Sequence, residues 1–385
     1  MEKVVIIGAN NFQNPLILKA KELGYETHVF AWKDGSIGEK TADYFYPISI
    51  IEKDKILEEC KKINPVAVCT IASDLATNTV NYVSSKLGLP CNSMGCTKKS
   101  TNKYLMRKAF KENNIPTPGF EIIDEKIDLS KLDYMKYPLI VKPTDRSGSR
   151  SITKMENSNQ LIEAIKKAQK DSFENRAIVE EYIDGEEFSI EGISYNGKHT
   201  FLAITRKQTT GAPNFIETGH TEPAGISNEL EKKVKAMIAN ALDALEITNS
   251  ASHSEFKITP NGEIRIIEIG ARMGGDCIGS DLVQISTGLD FIKMVIDVAR
   301  GREPNFSKIS DPQFALIKFI FNKQDLEKAK QIEKENPNCV YFKSEINEKE
   351  VGTYQPIDSS SRFGYYIYAF PKDNEENNDI MKKIF

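Results

Sequence analysis

The 385-residue chain has little sulfur, one tryptophan and four histidines, and its charge is balanced. Its six cysteines, Cys60, Cys69, Cys91, Cys96, Cys277 and Cys339, include no Cys-x-x-Cys pair and no tight Cys/His cluster. That spacing argues against a disulfide framework and a structural zinc site and predicts reduced thiols. Cys277 adjoins a glycine-rich stretch, yet no histidine is evidently paired with it, so packing is expected there in place of nucleophilic catalysis. The 51 Lys and Arg against 55 Asp and Glu give a formal charge of −4 spread in both signs. No basic field exists for a phosphate backbone, and nucleic acid is not an expected partner. No apolar run reaches the length of a membrane span, and the N-terminus enters a short apolar strand without a cleavable signal pattern. The expectation is a cytoplasmic protein with no membrane partner. Two nucleotide signatures are also missing. There is no G-x-x-x-x-G-K-[ST], and the first strand is followed by Gly8 alone, without G-x-G-x-x-G or an acidic residue closing "ETHVFAW". Dinucleotide binding is thereby poorly supported.

What is present suffices for two to four compact units, since 40% of the residues are hydrophobic. "KVVIIGANNFQNPLILKAKELGYETHVFAW" reads as strand, glycine turn, helix with Leu16, Ala20 and Leu23 on one face, a stop at Gly24 and a second strand. With "PVAVCTIASD" continuing the pattern, residues 1–96 predict an open, mostly parallel sheet of Rossmann-like type. Beyond it, "KKSTNKYLMRKAFKENN" predicts a helix starting near Ser100 and Thr101 and ending before Pro116 and Pro118. "YPLIVKP" is a short strand, "TDRSGSRSITK" a loop, and "SNQLIEAIKKAQKD" a helix with Ser158 as N-cap. "RAIVEEYI" follows as a strand, then a strand pair turning at Asn196-Gly197, a helix over 228–245 and a hairpin at Asn261-Gly262. "VGTYQPIDSSSRFGYYIYAF" predicts a further turn and strand, and the polar tail "PKDNEENNDIMKKIF" a closing helix.

The chemistry concentrates in four places. In "HSEFKITPNGEIRIIEIGARMGG" a two-residue type I′ loop at Asn261-Gly262 pairs Pro260 with Glu263, Lys257 with Ile266 and Glu255 with Glu268. The two carboxylates then share a face with Cβ atoms roughly 4.5 to 5.5 Å apart. Their repulsion is about 3 kcal/mol at an effective dielectric near 20, which a divalent cation between them would remove. A bulged loop around Pro260 would instead put Glu255 opposite Ile267, and two unrelated surface glutamates is the bland alternative. Lys98, Lys99 and Lys103 crowd a predicted helix start, where cations are unfavourable unless an anion shares the position; solvated lysines are the competing reading. Lys142 ends a buried apolar run and is expected to emerge at a sheet edge, just before Ser147, Gly148 and Ser149, whose backbone N–H groups can approach a polyphosphate. An ordinary surface loop has the same composition. "VEEYIDGEEFSIEG" can offer backbone groups to an adenine edge and Glu187 to two ribose hydroxyls, or it is simply an acidic hairpin.

The order of these elements, lysine at a helix start, lysine before a small-residue loop, acidic hinge, paired glutamates and then Arg272, resembles the ATP-grasp superfamily over nearly the full chain. The resemblance implies an α/β and α+β fold in which an N-terminal open parallel-sheet domain (1–96) precedes a central lobe (97–190), a C-terminal lobe (191–310) and a closing subdomain (311–385). It implies ATP and Mg²⁺ or Mn²⁺ as cofactors. Lys103, Lys142, Ser147, Gly148 and Ser149 match the phosphate-binding positions, Glu180, Glu181, Tyr182 and Ile183 the adenine hinge, and Glu187 the ribose position. Glu255 and Glu268 match the metal carboxylates, with Glu268 and Arg272 catalytic. Many members carry asparagine two residues after the second glutamate, where this sequence has Gly270, so the resemblance implies a second metal site that is weaker or completed by water. "FIETGHTEPA" and "GARMGGD" look most like the L-amino-acid ligase and carboxylate-amine ligase branch, which implies small-molecule carboxylate and amine substrates met by Glu217, His220, Arg272, Gly274 and Gly275. His253, beside the metal strand, is expected to be packed behind it. A carboxylase resembling biotin carboxylase and a non-catalytic nucleotide-binding regulator are the competing functions. The resemblance also admits a homodimer, for which no heptad or apolar stripe speaks.

Overall fold

The computed structural model describes residues 1–371 and Ile384; the tail expected to form a closing helix lies, but for Pro371 and Ile384, outside them. Three sheets appear in chain order. Strands β1 (Lys3–Ile7), β2 (Glu26–Phe30), β3 (Tyr44–Tyr46) and β4 (Ala67–Cys69) form a parallel sheet in the order β3-β2-β1-β4. One face of it is covered by Leu16, Ile17 and Ala20 of the helix Asn14–Glu22 together with Phe291, Ile292 and Val295 of the helix Phe291–Ala299. Ile56, Leu57, Cys60, Ala76 and Val83, from the helices Lys53–Ile63 and Asp74–Leu87, cover the other. The expected open sheet of the N-terminal segment is therefore present, and a late helix closes one side of it.

The second sheet contains β5 (Phe120–Ile123), β6 (Leu139–Pro143), β7 (Thr153–Met155) and β8 (Ala177–Glu181) in the antiparallel order β5-β8-β6-β7. Leu161, Ala164, Ile165 and Ala168 of the amphipathic helix Leu161–Asp171 fill its core. The third has eight antiparallel strands: β9 (Glu186–Tyr195), β10 (Lys198–Thr209), β11 (Glu217–Glu222), β12 (Ser250–Ile258), β13 (Ile264–Gly270), β14 (Phe314–Phe319), β15 (Val340–Lys343) and β16 (Tyr365–Phe370). Their order is β13-β12-β9-β10-β11-β14-β16-β15. Met106 and Phe110 of the helix Lys103–Glu112 and Val234, Ile238 and Leu242 of the helix Asn228–Ala244 pack on its Phe188, Ile190, Phe256 and Ile266. An apolar interface thus ties the helix Lys103–Glu112 to the hairpin that carries the paired acids.

Four local expectations are corrected. The Lys-rich segment is two helices, Met94–Thr101 capped by Ser93 and Lys103–Glu112 capped by Asn102. Lys98 and Lys99 therefore lie in a last turn, where the helix dipole favours cations, and only Lys103 stands at a helix start. Ser158 does not cap the helix at 161; left-handed Gln160 precedes it without a side-chain cap. Strand β6 is interior and not an edge, although β7 stops opposite Val141 and leaves Lys142 just past its end.

The hairpin register is the fourth. Pro260 has a fixed φ that suits the second position of a type I turn, and Gly262 N–H donates to Thr259 O at 2.8 Å, with Gly262 at φ +82°. The tightest strand pair is accordingly Ile258 with Ile264, one residue out of step with a two-residue loop. A bulge between Glu255 and Phe256, at which Ile267 is the extra residue on the partner strand, restores the register, so Glu255 does face Glu268.

Candidate functional site

Strand β6, the loop after it, β8 and the β12–β13 hairpin wall one cleft enclosing about 1110 Å³, open to solvent. Lys103, Lys142, Ser147, Gly148, Ser149, Glu180, Glu181, Tyr182, Ile183, Glu187, Glu217, Glu255, Glu268 and Arg272 all line it. Residues spread over 170 positions of sequence are brought together because Arg107, on the helix Lys103–Glu112, links both walls. Its Nε donates to Glu180 at 2.8 Å and its Nη2 to the carbonyl of Ile267, the bulged residue.

On the β8 wall, Glu180 is buried with each oxygen on a different cation, Oε1 on Arg107 and Oε2 on Lys142 at 2.6 Å. Lys142 reaches it diagonally, since Ile140 is directly opposite Glu180 in the β6–β8 pair. Burial alone would favour the neutral acid, but Arg107 and Lys142 hold the Glu180 carboxyl down at about 2. Burial lowers the pKa of Lys142, Glu180 opposes this, and Arg107 adds to it. The Glu180 side chain is thus committed to positioning Lys142, and the segment 181–183 presents Tyr182 to the cleft. Lys154 and Lys257 place their ammonium groups 4.3 and 5.2 Å from the Tyr182 ring centre, and Lys257 also donates to Ile183 O at 3.2 Å. In the loop, Gly148 and Ser149 are successive left-handed residues at φ +72° and +57°, and Lys103 Nζ donates to Arg146 O at 2.7 Å.

On the hairpin wall the two acids are each held by a lysine from another element. Lys103 bonds Glu268 at 2.6 Å, and Lys207 of β10 bonds Glu255 at 2.5 Å. Lys207 also lies 3.0 Å from Glu187 and 3.6 Å from Glu217, so three carboxylates share one ammonium. Burial works against that charge, but Glu255, Glu187 and Glu217 hold the Lys207 pKa well above its ordinary value. Glu255 is held well below the usual carboxylate range against the opposing effect of burial, chiefly by Lys207 and His253. His253, on β12 two residues before Glu255, bridges Glu191 and, at 3.2 Å, Glu255 and lines the cleft, so it stands beside the acid pair and is not packed behind it. Burial opposes its charge too, yet Glu191 and Glu255 push its pKa up to about 9.

Sequence reasoning missed Lys207, Arg107, Glu191 and Asp74. Nothing in the sequence signalled Lys207: counting from the Asn196-Gly197 turn pairs it with Glu186, and a bulge between Phe201 and Ala203 moves it against Glu187. Three substrate-side expectations need correction. His220 is fully buried behind the cleft wall, its Nε2 3.8 Å from Asp276, beyond hydrogen-bond reach, and burial lowers its pKa. Gly274 N–H donates to Glu191 at 2.9 Å, so that amide is already taken, and Gly275 packs beside Ala72, away from the cleft lining. Cys277 is buried with its thiol pKa pushed well up by burial, consistent with packing.

The ATP-grasp domain model matches residues 135–281, which contain both walls of this cleft. The whole chain also superimposes on the L-amino acid ligase from Bacillus licheniformis with a TM-score of 0.81 at 22% identity, covering 100% of this chain and 97% of that one. Residues 135–281 are an ATP-grasp domain, and the whole chain shares its fold with that ligase. A second structure with this ATP-grasp fold, phosphoribosylglycinamide synthetase from Anaerococcus prevotii, has a TM-score of 0.77 at 22% identity and covers 100% and 98% of the two chains. In sequence the chain is 27% identical over 300 residues to the alanine–anticapsin ligase of Bacillus subtilis strain 168, covering 69% of this chain and 63% of that protein. It spans 63 to 65% of the length of the three such Bacillus ligases it matches.

Opposed carboxylates, side chains 22% and 27% exposed, form a hard oxygen donor pair suited to Mg²⁺ or Mn²⁺. Among the described residues no three or more His, Cys, Asp or Glu side chains form a metal cage; a Mg²⁺ held by one or two carboxylates, phosphates and water needs none. Among the described residues, too, no helix is long and apolar enough to cross a membrane.

Proposed function

We propose that this protein is an ATP-dependent carboxylate-amine ligase that joins an amino-acid carboxylate to an amine and releases ADP and phosphate. The observation that carries the reading is the convergence of Lys103, Lys142 and Lys207 with the opposed Glu255 and Glu268 and with Arg272 in one cleft. Three ammonium groups and a guanidinium can neutralise a polyphosphate and a carboxylate at once, which is the electrostatic requirement for moving a phosphoryl group between them. The ligase names of the relatives support the bond formed.

In this reading Lys142 grips the phosphates from the β6 end, held in place by Glu180 and Arg107, while Gly148 and Ser149 bring backbone N–H groups over them. Lys103, on Glu268 at the cleft wall, would supply a second cation to the phosphates. Glu255 and Glu268 would hold Mg²⁺, which when bound screens the phosphates and draws charge from the transferred group. Glu187 meets the ribose, and the backbone at 181–183 with the Tyr182 ring meets the base. The substrate carboxylate oxygen bonds to the terminal phosphorus as ADP leaves; the amine nitrogen then bonds to the carbonyl carbon, phosphate leaves and the amine loses a proton. Arg272 stands where charge collects on that acyl phosphate. Because the carboxylate is activated by phosphate, no enzyme nucleophile is needed, and positioning does most of the catalysis.

Phosphate release with Mg²⁺ and ATP, screened over pairs of amino acids, tests the proposal. Turnover that needs both an amino-acid carboxylate and an amine is expected. ADP formation that needs bicarbonate and biotin in place of an amine would make the protein a carboxylase, and tight ATP binding without turnover would make it a regulator.

A further inference from the structure

We propose that Asp74, carried by the N-terminal parallel-sheet domain, is the positioning residue of Arg272, and that Gly270 leaves free the space this pair occupies. The inference rests on the ligase reading for the role of Arg272. Asp74 is the first residue of the helix Asp74–Leu87, whose start is pinned by Ser73 accepting a hydrogen bond from Ala76 N. Its carboxylate receives Arg272 Nε on Oδ1 and Nη2 on Oδ2, both at 2.9 Å, a two-pronged bond that fixes the guanidinium plane. Arg272 Nη1 also donates to Met273 O at 3.3 Å. Among the described residues these three bonds leave one N–H on each Nη for an anion in the cleft that Arg272 lines.

Gly270 supplies the second, independent observation. A Cβ there would meet Asp74 Oδ1 at 2.7 Å and the Arg272 guanidinium at 3.1 Å, and φ at Gly270 is not in the left-handed region, so glycine is needed for space alone. The carboxylate from the other domain fills the volume of a side chain at the end of β13, two residues beyond Glu268. Asp74 also stands where the nucleotide cleft meets a second cleft of about 1940 Å³ lined by Asn10, Gln13, Trp32 and Asn78 of the N-terminal domain. The N-terminal domain thereby sets the angle at which Arg272 presents its free N–H groups to the substrate carboxylate.

The test uses the full chain in five forms: wild type, Asp74→Asn, Asp74→Ala, Gly270→Ala and the Asp74→Ala/Gly270→Ala double variant. Gly270→Ala is expected to lower the melting temperature, and by less in the Asp74→Ala background, because the clash partner is gone. Asp74→Asn is expected to bind MgADP within about twofold of wild type while kcat/KM for the amino-acid substrate falls roughly 10- to 100-fold. Equal melting losses in both backgrounds would overturn the placement. Unchanged turnover in Asp74→Asn, or a parallel loss of MgADP affinity, would overturn the positioning role. If no amino acid supports turnover in the wild type, the ligase reading and the substrate role fail together, whereas non-additive melting would still establish that Asp74 fills the Gly270 space.

Discussion

On one wall of the cleft Glu180 gives an oxygen each to Arg107 and Lys142, and all three side chains are buried. On the other, Glu255 and Glu268 face each other across a strand pair, are partly exposed, and borrow their cations from β10 and from the helix Lys103–Glu112. The first cluster divides one carboxylate between two buried cations, of which Lys142 also lines the cleft. The second draws on lysines that also face the cleft, so a metal and a phosphate can exchange partners with them. The closed cluster fixes the position of Lys142 at the cleft wall, while the open one can exchange its lysines with a ligand. The contrast lies in connectivity and exposure, since both clusters are glutamates with lysines at short distance.

Breaking the closed cluster has the largest expected effect. Glu180→Ala leaves Lys142 and Arg107 buried without their carboxylate and should cost about 3 to 5 kcal/mol of stability by chemical denaturation; a variant as stable as wild type would mean the cluster is not closed. Glu268→Gln should leave the melting temperature close to wild type and reduce turnover by roughly 100-fold or more in a phosphate-release assay. Near-normal turnover there would remove the metal role of the open cluster. Lys142→Ala should weaken ATP binding by roughly 10- to 100-fold by calorimetry, the scale of one charged hydrogen bond, and an unchanged affinity would count against its phosphate role.

Acid sharpens the same comparison. The Glu180 carboxyl titrates at about 2 when folded and near the ordinary glutamate value when unfolded, so its contribution is complete above about 4.5 and is lost as pH falls through about 2. Glu180→Gln should flatten the stability profile in that window. Glu222 has the opposite sign. Burial pushes its carboxyl up to about 8, with Thr205 and Ser286 hydroxyls on its oxygens, so the native state holds an extra proton between about 4.5 and 8 and loses stability as pH rises through that range. Glu222→Gln should remove that slope in pH-dependent melting, and a profile identical to wild type would show that the acid is not protonated. Pro260→Ala is the smallest change, about 0.4 to 1 kcal/mol from a freer unfolded chain, because the turn it shapes lies at the hairpin tip.

Two Asn-Gly turns show where sequence reading succeeds and where it stops. Asn196 and Gly197, at φ +50° and +77° between paired Tyr195 and Lys198, form the two-residue turn the dipeptide favours. Asn261 and Gly262 do not, because Pro260 commits the chain to a type I turn one residue earlier. The predicted Glu255–Glu268 pair is nevertheless observed, for a reason invisible in the local sequence: the bulge at Ile267 corrects the offset, and Arg107 takes the bulged carbonyl from a helix 160 residues away. Lys142 and the Ser147–Gly148–Ser149 loop were legible because strand, lysine and small-residue loop are contiguous. Lys207 was not, because its three carboxylate partners come from β9, β11 and β12.

Local patterns, the apolar periodicity of helices and strands and the contiguous lysine loop, were enough to specify the parallel first sheet, the Asn196-Gly197 turn and Lys142 with its small-residue loop, since each depends on neighbours a few residues away. Which cation each acid holds, that His220 and Gly274 turn from the cleft, and that an aspartate of the first domain seats Arg272 beside a glycine were decided only by tertiary packing. Charge pairing is set by distance in space, and a one-dimensional pattern carries no information on which side chains the folded sheets and helices bring within 3 Å.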